Sequence, residues 1–436
     1  MQAAGGHGAT AVNDSQRDGN AAAAWATSGL AALTGRRDGP PLGGPRALVE
    51  EVRSWADQLT VRSTELGAPV VVDPLALLAE RAAVGGLVRG GDVSCGGGTR
   101  LLPAADGWVA VSLARGDDWE LVAAWLGRPG PVAEGDWETV AGGVAGSAAE
   151  QLRAGAALLG LPVAVLGERE RGASDTSPEP GAAGPGGIHG IRAREIRSAR
   201  AIRSCADLLV VDLSSLWAGP LAGRLLRQAG ARVVKVESTR RPDGARLGPP
   251  RFFSRLNGGK ASVALDLTSA TGRRQLGELV TGADVVITGS RPRALEQLGL
   301  DVEDAMAVGR TRLWLSITGY GTEGASGMRV AFGDDAAVAG GLVARDGRGP
   351  CFLADAIADP LCGLASAVAA LTALTDGGAW VLDASMADIA GGLTGPPVSL
   401  EGHTGGPPPD PGDWQEPEAR ALGADTAVVL SSLARA

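Results

Sequence analysis

Aromatic side chains make up only 3% of this 436-residue chain, and histidine and cysteine occur three and four times. Cys95, Cys205, Cys351 and Cys362 are scattered without a CxxC pair, and His7, His189 and His403 form no group with them, so no metal-ligand cluster appears. No P-loop is present, which leaves ATP without its usual sequence sign. Positive charge is in deficit, with 40 Lys and Arg against 49 Asp and Glu and a net charge of −9. That balance argues against a general nucleic-acid binder, while a local basic pocket for a phosphate ligand stays open. The N-terminus has no basic-then-apolar signal, and no uncharged run approaches membrane-spanning length; a soluble, cytoplasmic protein is expected.

The length is enough for two or three domains and a substantial core. Residues 1 to about 20 read as a loose polar terminus, and residues 21–42 as an apolar helical patch closed by a Gly/Pro turn. Helical patterns follow at 46–59 and 75–87. Residues 100–127 read as strand, turn, strand and helix, followed by a helix at 148–159 and a strand at 161–166. A Gly/Pro/Ser-rich stretch at about 171–188 is a linker. Beyond it IRAREIRSARAIRS (191–204) spaces Arg192, Arg194, Arg197, Arg200 and Arg203 as on a solvated helix face. From Ala206 the pattern alternates strand and helix: LLVVDLSS, WAGPLAGRLLRQAG, RVVKVES, SVALDL, a helix at about 269–280, ADVVITG, a short helix and RLWLSITGYG. The fold class predicted is α/β, a doubly wound, mainly parallel Rossmann-like sheet with a smaller α+β domain. Helix N-termini and strand ends at the crevice of such a sheet suit phosphate-bearing ligands.

The stretch CFLADAIADPLCGLASAVAALTALTDGGAWVLDASMADI (351–389) holds two carboxylates, Asp355 and Asp359, ahead of a long Leu/Ala/Val/Gly run. Pro360 directly after Asp359 places that aspartate at the N-terminus of a helix apolar nearly all round, and therefore buried. Free backbone N–H groups and the helix dipole would hold a carboxylate there ionised and directed, which suits a nucleophile that forms a covalent intermediate. The plain alternative is that Asp-Pro is a helix cap and nothing more.

The run DPLCGLASAVAAL, a turn and WVLDASM resembles the active-site segment of the class III CoA-transferases, a group that also contains acyl-CoA racemases. AGP at 218–220, GARVVKVES, NGGKASVALDL, ADVVITGSRP and SITGYGTEG resemble further motifs of that family, and ADGW at 105–108 its small domain. The likeness covers most of residues 75–166 and 206–436. It implies Asp359 as nucleophile, with Asp355 as the alternate, since Asp359 and Gly363 have the family's spacing. It also implies coenzyme A or acyl-CoA as substrate, with no permanently bound cofactor and no metal, and a carboxylic acid as acceptor. Ala218, Gly219 and Pro220 would let CoA approach the backbone, and Arg240, Arg241, Lys260 and Arg291 are candidates for its phosphates. Backbone N–H groups near Gly363 or Gly340–Gly341 are candidates for an oxyanion site. The family's interlocked dimers imply a homodimer.

The domain order differs from the family's, because the small domain here precedes the sheet. The resulting division is residues 1–70, a partial copy of the family's middle region; 71–170, a small α+β domain; 171–205, a linker; 206–330, a Rossmann-like CoA-binding lobe; 331–395, the catalytic Asp and buried helix; and 396–436, a loop and C-terminal helix. A racemase would need a second proton-transfer group. Relatives of that kind carry a His-Asp pair where AFGDDAAVAGG here has Asp334 and Asp335 without histidine. A third reading is a catalytically weak homologue kept as a CoA-binding or assembly module.

Overall fold

A computed structural model of the chain describes residues 6–170, 185–308, 310–409, 414 and 416–433. Three helices open it: α1 (Gly6–Thr27), α2 (Arg46–Glu65) and α3 (Pro74–Gly85). Helix α1 begins at Gly6, so the described part of the expected loose terminus is helical. Asp73 caps α3 by accepting hydrogen bonds from the N–H groups of Leu75 and Ala76, with Pro74 in the first turn.

The small α+β unit follows. Strands β1 (Thr99–Pro103), β2 (Trp108–Ser112) and β3 (Val163–Val165) form an antiparallel sheet. Helices α4 (Gly116–Trp125), α5 (Trp137–Ala145) and α6 (Ala149–Leu159) cover it. Val109, Val111, Val122 and Val140 close a separate core in which Trp119 and Trp137 meet edge to face, 5.1 Å between ring centroids.

The large sheet contains β4 (Ile191–Arg197), β5 (Leu209–Asp212), β6 (Arg232–Ser238), β7 (Ala261–Leu265), β8 (Val285–Thr288), β9 (Leu313–Thr318) and β12 (Ala379–Ser385). Their spatial order is β4-β12-β9-β8-β5-β6-β7, parallel throughout except for β4. The Arg-spaced stretch is therefore an edge strand at 191–197 and not a helix face, and to that extent the linker is structured. Alternation of Ile191 and Ala193 with arginines suits a strand as well as a helix over so few residues. Pairing with β12, in register Ile191 to Ala384, decides between them. At the other edge Asp425 and Thr426 accept the Ser262 and Ala264 N–H groups of β7, which covers that edge with helix α15 (Thr426–Leu433).

Helices lie on both faces. Val211, Val234, Val286 and Trp314 point toward α9 (Ala270–Thr281), α10 (Pro292–Leu298) and α11 (Val302–Val308). Val210, Val233, Ile287 and Leu315 point toward α7 (Ala218–Gln228), α8 (Pro250–Asn257) and the central helix α13 (Ala358–Asp376). Among the described residues α13 is the one helix long and apolar enough to cross a membrane, and it is buried inside the protein between α7, α2 and strands β9 and β12. A helix apolar on every side finds no water-facing position in a domain. Gly363 lets α7 come close, since a Cβ there would sit 2.7 Å from the Ala218 carbonyl oxygen and 2.8 Å from Leu221 Cδ2. Between β9 and β12 the chain also forms α12 (Gly333–Ala339) and the hairpin β10 (Val343–Asp346) and β11 (Gly349–Phe352); α14 (Met386–Gly391) follows β12.

Candidate active site

The strand order reverses between β5 and β8, and chains leaving these two strands turn to opposite faces. A crevice must open there at the carboxyl ends of the strands, where doubly wound sheets take ligands. A cavity of about 310 Å³ fills it. Its walls are residues 213–216, 218 and 219 after β5, 289–291 after β8, 317–319 after β9, and 329–332 ahead of α12. Asp359 is the only acidic side chain in this lining, which also holds Arg115, Arg241, Arg291 and Arg329.

Asp359 lies in the first turn of α13, one residue past its start, and the helix has no side-chain cap. In place of the expected self-capping, the carboxylate lies near the start of α7, where the N–H of its first residue, Ala218, favours the charged form. Two helix N-termini therefore bear on one carboxylate. Its pKa is pushed up to about 7, chiefly by burial, against the pull of Arg81 and with an added push from Asp334; the Ala218 N–H opposes the rise and Asp355 adds to it. The residue keeps a face open to the cleft.

Asp355, the alternate, sits elsewhere. It is fully buried and held in a two-pronged ion pair by Arg81, Nε to Oδ2 at 2.7 Å and Nη2 to Oδ1 at 2.5 Å. Asp334 accepts the Ala356 N–H at 2.9 Å, and burial raises its pKa to about 6 with help from Asp355. Asp335 accepts from the Ser112 hydroxyl and the Phe332 N–H, and burial pushes it up to about 7. Neither lines the cleft. The loop joining these groups is strained, with Ala354 at φ 55° and Ala356 at φ 44°.

Of the expected ligand contacts, Ala218, Gly219, Arg241 and Arg291 line the cleft. Gly219 has no room for a side chain, because a Cβ would fall 2.3 Å from Ser214 Oγ. Pro220 lies below, in the first turn of α7. Arg240 points to Asp266 at 3.4 Å, away from the cleft. Lys260 corrects the expectation most: its ammonium is buried under α7, bonded to Asp212 Oδ2 at 2.9 Å, the Pro220 carbonyl at 2.8 Å and Asn257 Oδ1 at 3.1 Å. Burial lowers its pKa to about 8, against the attraction of Asp212. Three acceptors fill an ammonium's three N–H bonds, so none remains for a phosphate.

Lys235, the other lysine of the chain, is buried as well, 2.8 Å from Asp243 and donating to the Ser214 carbonyl at 2.9 Å. The two lysines peg the β5–α7 loop from beneath. Asp243 takes the Leu216 N–H at 3.0 Å and holds Leu216 at φ 68°. Gly363 and Gly340 serve close packing and do not face the cleft: Gly340 leaves room for the Ala387 carbonyl and the Gly391 N–H. Gly341 borders a different cavity with Leu42 and Val398.

Comparison with known proteins decides the family. A model described as CoA-transferase family III matches residues 205–423, half of the chain. The chain belongs to CoA-transferase family III. It is 32% identical over 200 residues to a probable fatty acyl-CoA transferase of Mycobacterium tuberculosis, 42% of this chain and 50% of that protein. It is also 32% identical over 187 residues to a succinyl-CoA–D-citramalate CoA-transferase of Chloroflexus aurantiacus, 41% of this chain and 46% of that one. A solved CAIB/BAIF family protein from Brucella suis is 32% identical, covering 43% of this chain and 54% of its own, with a TM-score of 0.40. The chain spans about half the length of the curated relatives it matches.

The family match begins at residue 205, yet Arg81 and Arg115 reach the site from before it. Sequence reasoning passed over both, and also Gly333, Ser214 and Arg329. Arginines in helix or loop stretches of an Arg-rich chain carry no local sign of what they face. The glycine ahead of the Asp334–Asp335 pair was the one available signal, since glycine starting a helix needs a packing reason.

Proposed function

We propose that this family III protein is an acyl-CoA:carboxylate CoA-transferase in which Asp359 is the nucleophile. The observation that carries the reading is that Asp359 is the one carboxylate facing a cleft otherwise ringed by arginines, at the switch point of the sheet. A carboxylate Oδ of Asp359 attacks the thioester carbonyl of the donor, the C–S bond breaks, and CoA leaves as thiolate, giving a mixed anhydride. The thiolate then attacks the aspartyl carbonyl, releasing the donor acid as carboxylate and forming an aspartyl-CoA thioester. The acceptor carboxylate attacks that thioester, and the thiolate released attacks the acceptor's acyl carbon of the new anhydride, which restores Asp359. No oxidation occurs, and each thioester broken is matched by one formed.

Arg241 and Arg291 fit the role of CoA phosphate contacts. Both line the cleft, and among the described residues no carboxylate pairs with either. The Ala218–Gly219 turn at the start of α7 favours close approach of an anionic group. The racemase reading gains no support from Asp334 and Asp335, which are buried and stand outside the cleft lining. Homodimerisation belongs to the same proposal, and a solution mass of one chain would count against it.

The decisive experiment incubates the protein with a panel of acyl-CoAs and hydroxylamine and reads the modified residue by mass spectrometry. A hydroxamate on Asp359, absent in Asp359→Asn, is expected. No adduct with any donor favours a binding module. Exchange of the donor's α-hydrogen in heavy water without CoA transfer favours a racemase.

A further inference from the structure

Arg81 stands on α3, in the part of the chain that precedes the family match, and its guanidinium braces both sides of Asp359. On one side its fork holds the fully buried Asp355, four residues ahead of Asp359. That pair pins a loop with two non-glycine residues at positive φ, Ala354 and Ala356, and the Ala356 carbonyl accepts the Asp359 N–H at 3.0 Å. On the other side the guanidinium lies 5.5 Å from the centre of the Trp217 ring. Trp217 precedes Ala218, which lines the cleft together with Asp359. A single planar cation therefore ties the loop that carries the carboxylate to the helix start that receives it.

The charges facing Asp359 come from several elements. Asp334 on α12 and Asp355 in its own loop repel it, and Arg81 on α3 attracts it. Of the arginines lining the cleft, Arg115 and Arg329 are paired with Asp118 and Glu168, while Arg241 and Arg291 have no carboxylate partner among the described residues. Cys362, one turn further along α13, is an uncharged thiol whose pKa burial pushes up to about 12. Arg81 is the cation that acts most strongly on Asp359.

We propose that Arg81 is a positioning residue for the reaction at Asp359: it fixes the loop that carries the carboxylate and supplies the positive charge the carboxylate faces. The inference rests on Asp359 being the nucleophile. It makes the N-terminal helices part of the working site, although no residue before 205 belongs to the family match.

The test uses the full chain and two variants. Arg81→Lys keeps the charge and loses the fork. The pair Arg81→Gln with Asp355→Asn removes both charges together and so leaves no buried carboxylate without a partner. Each is incubated with succinyl-CoA, and the rate of hydroxylamine-trapped modification at Asp359 is followed from pH 5 to 9. For Arg81→Lys a rate reduced roughly tenfold or more with an unchanged pH midpoint is expected. For the paired variant the midpoint should rise by about one pH unit. Wild-type rates and midpoints in both variants overturn the proposal. So does a lower melting temperature with rate and midpoint unchanged, which is the mark of a purely structural pair. If the paired variant does not fold, the Arg81→Lys rate decides. Modification that survives Asp359→Asn refutes the nucleophile itself, a failure distinct from wild-type behaviour of the Arg81 variants.

Discussion

Gly333 owes its lack of a side chain to Asp359: a Cβ at 333 would lie 2.4 Å from the Asp359 Oδ2 and 2.3 Å from the Ala356 carbonyl oxygen. The carboxylate occupies the space that any other residue at the start of α12 would fill. Gly333→Ala must therefore displace Asp359 or the loop before it. Acylation at Asp359 should drop by about two orders of magnitude, and stability by about 1–3 kcal/mol. Trapping rates and thermal melts of the same preparation check both.

Asp359 titrates near neutrality, so its reactivity should depend on pH. Below about 7 the carboxyl is protonated and cannot attack; above it the nucleophile is formed. Modification by acyl-CoA should rise with pH through that value and level off beyond it. A profile flat from pH 5 to 8 would contradict the environment described for this group.

The same shift has a stability consequence. The folded-state value of about 7 exceeds the ordinary 3.8, so between these pH values the folded protein binds more protons than the unfolded chain. Stability contributed by this group is present at low pH and lost as pH rises through about 7. Asp359→Asn removes the burial penalty of the charge and should stabilise the protein more at pH 8 than at pH 5, the difference being about 2–3 kcal/mol. Melting curves at the two pH values measure it.

Arg241 and Arg291 should act on binding and not on chemistry. Replacing either by Gln is expected to raise the KM for acyl-CoA roughly tenfold while kcat changes less than about threefold. Dephospho-CoA substrates, which lack the 3′-phosphate, report whether one of the two arginines meets that group: its variant then loses no further affinity.

Lys260 offers the opposite case. Its ammonium lies beneath α7, bound to Asp212, so Lys260→Met should leave a buried carboxylate unpaired and cost about 3–5 kcal/mol. The paired change with Asp212→Leu should recover most of that loss. Urea unfolding of the three variants gives the comparison.

Local pattern carried much of the fold. Apolar strands and amphipathic helices alternate from Ala206 onward at the periods the sheet and its two helix layers demand, and β6 runs over the same residues, 232–238, as its sequence signal. Asp-Pro before a charge-free run placed Asp359 in the first turn of a buried helix because both proline chemistry and apolar content act within a few residues. The Arg-spaced segment misled because alternating and helical spacing coincide over seven residues, and only a partner strand separates them.

What sequence alone determined, then, is the order of strands and helices along the chain and the position of one acidic residue at a helix start, since these follow from neighbours in the chain. Tertiary structure decided which carboxylate faces the cleft, which arginine is spent on Asp355, and that Lys260 is a peg and not a ligand. Those outcomes depend on groups as far apart as residues 81 and 355, brought together by packing around α13, and no local pattern encodes a distance across the core.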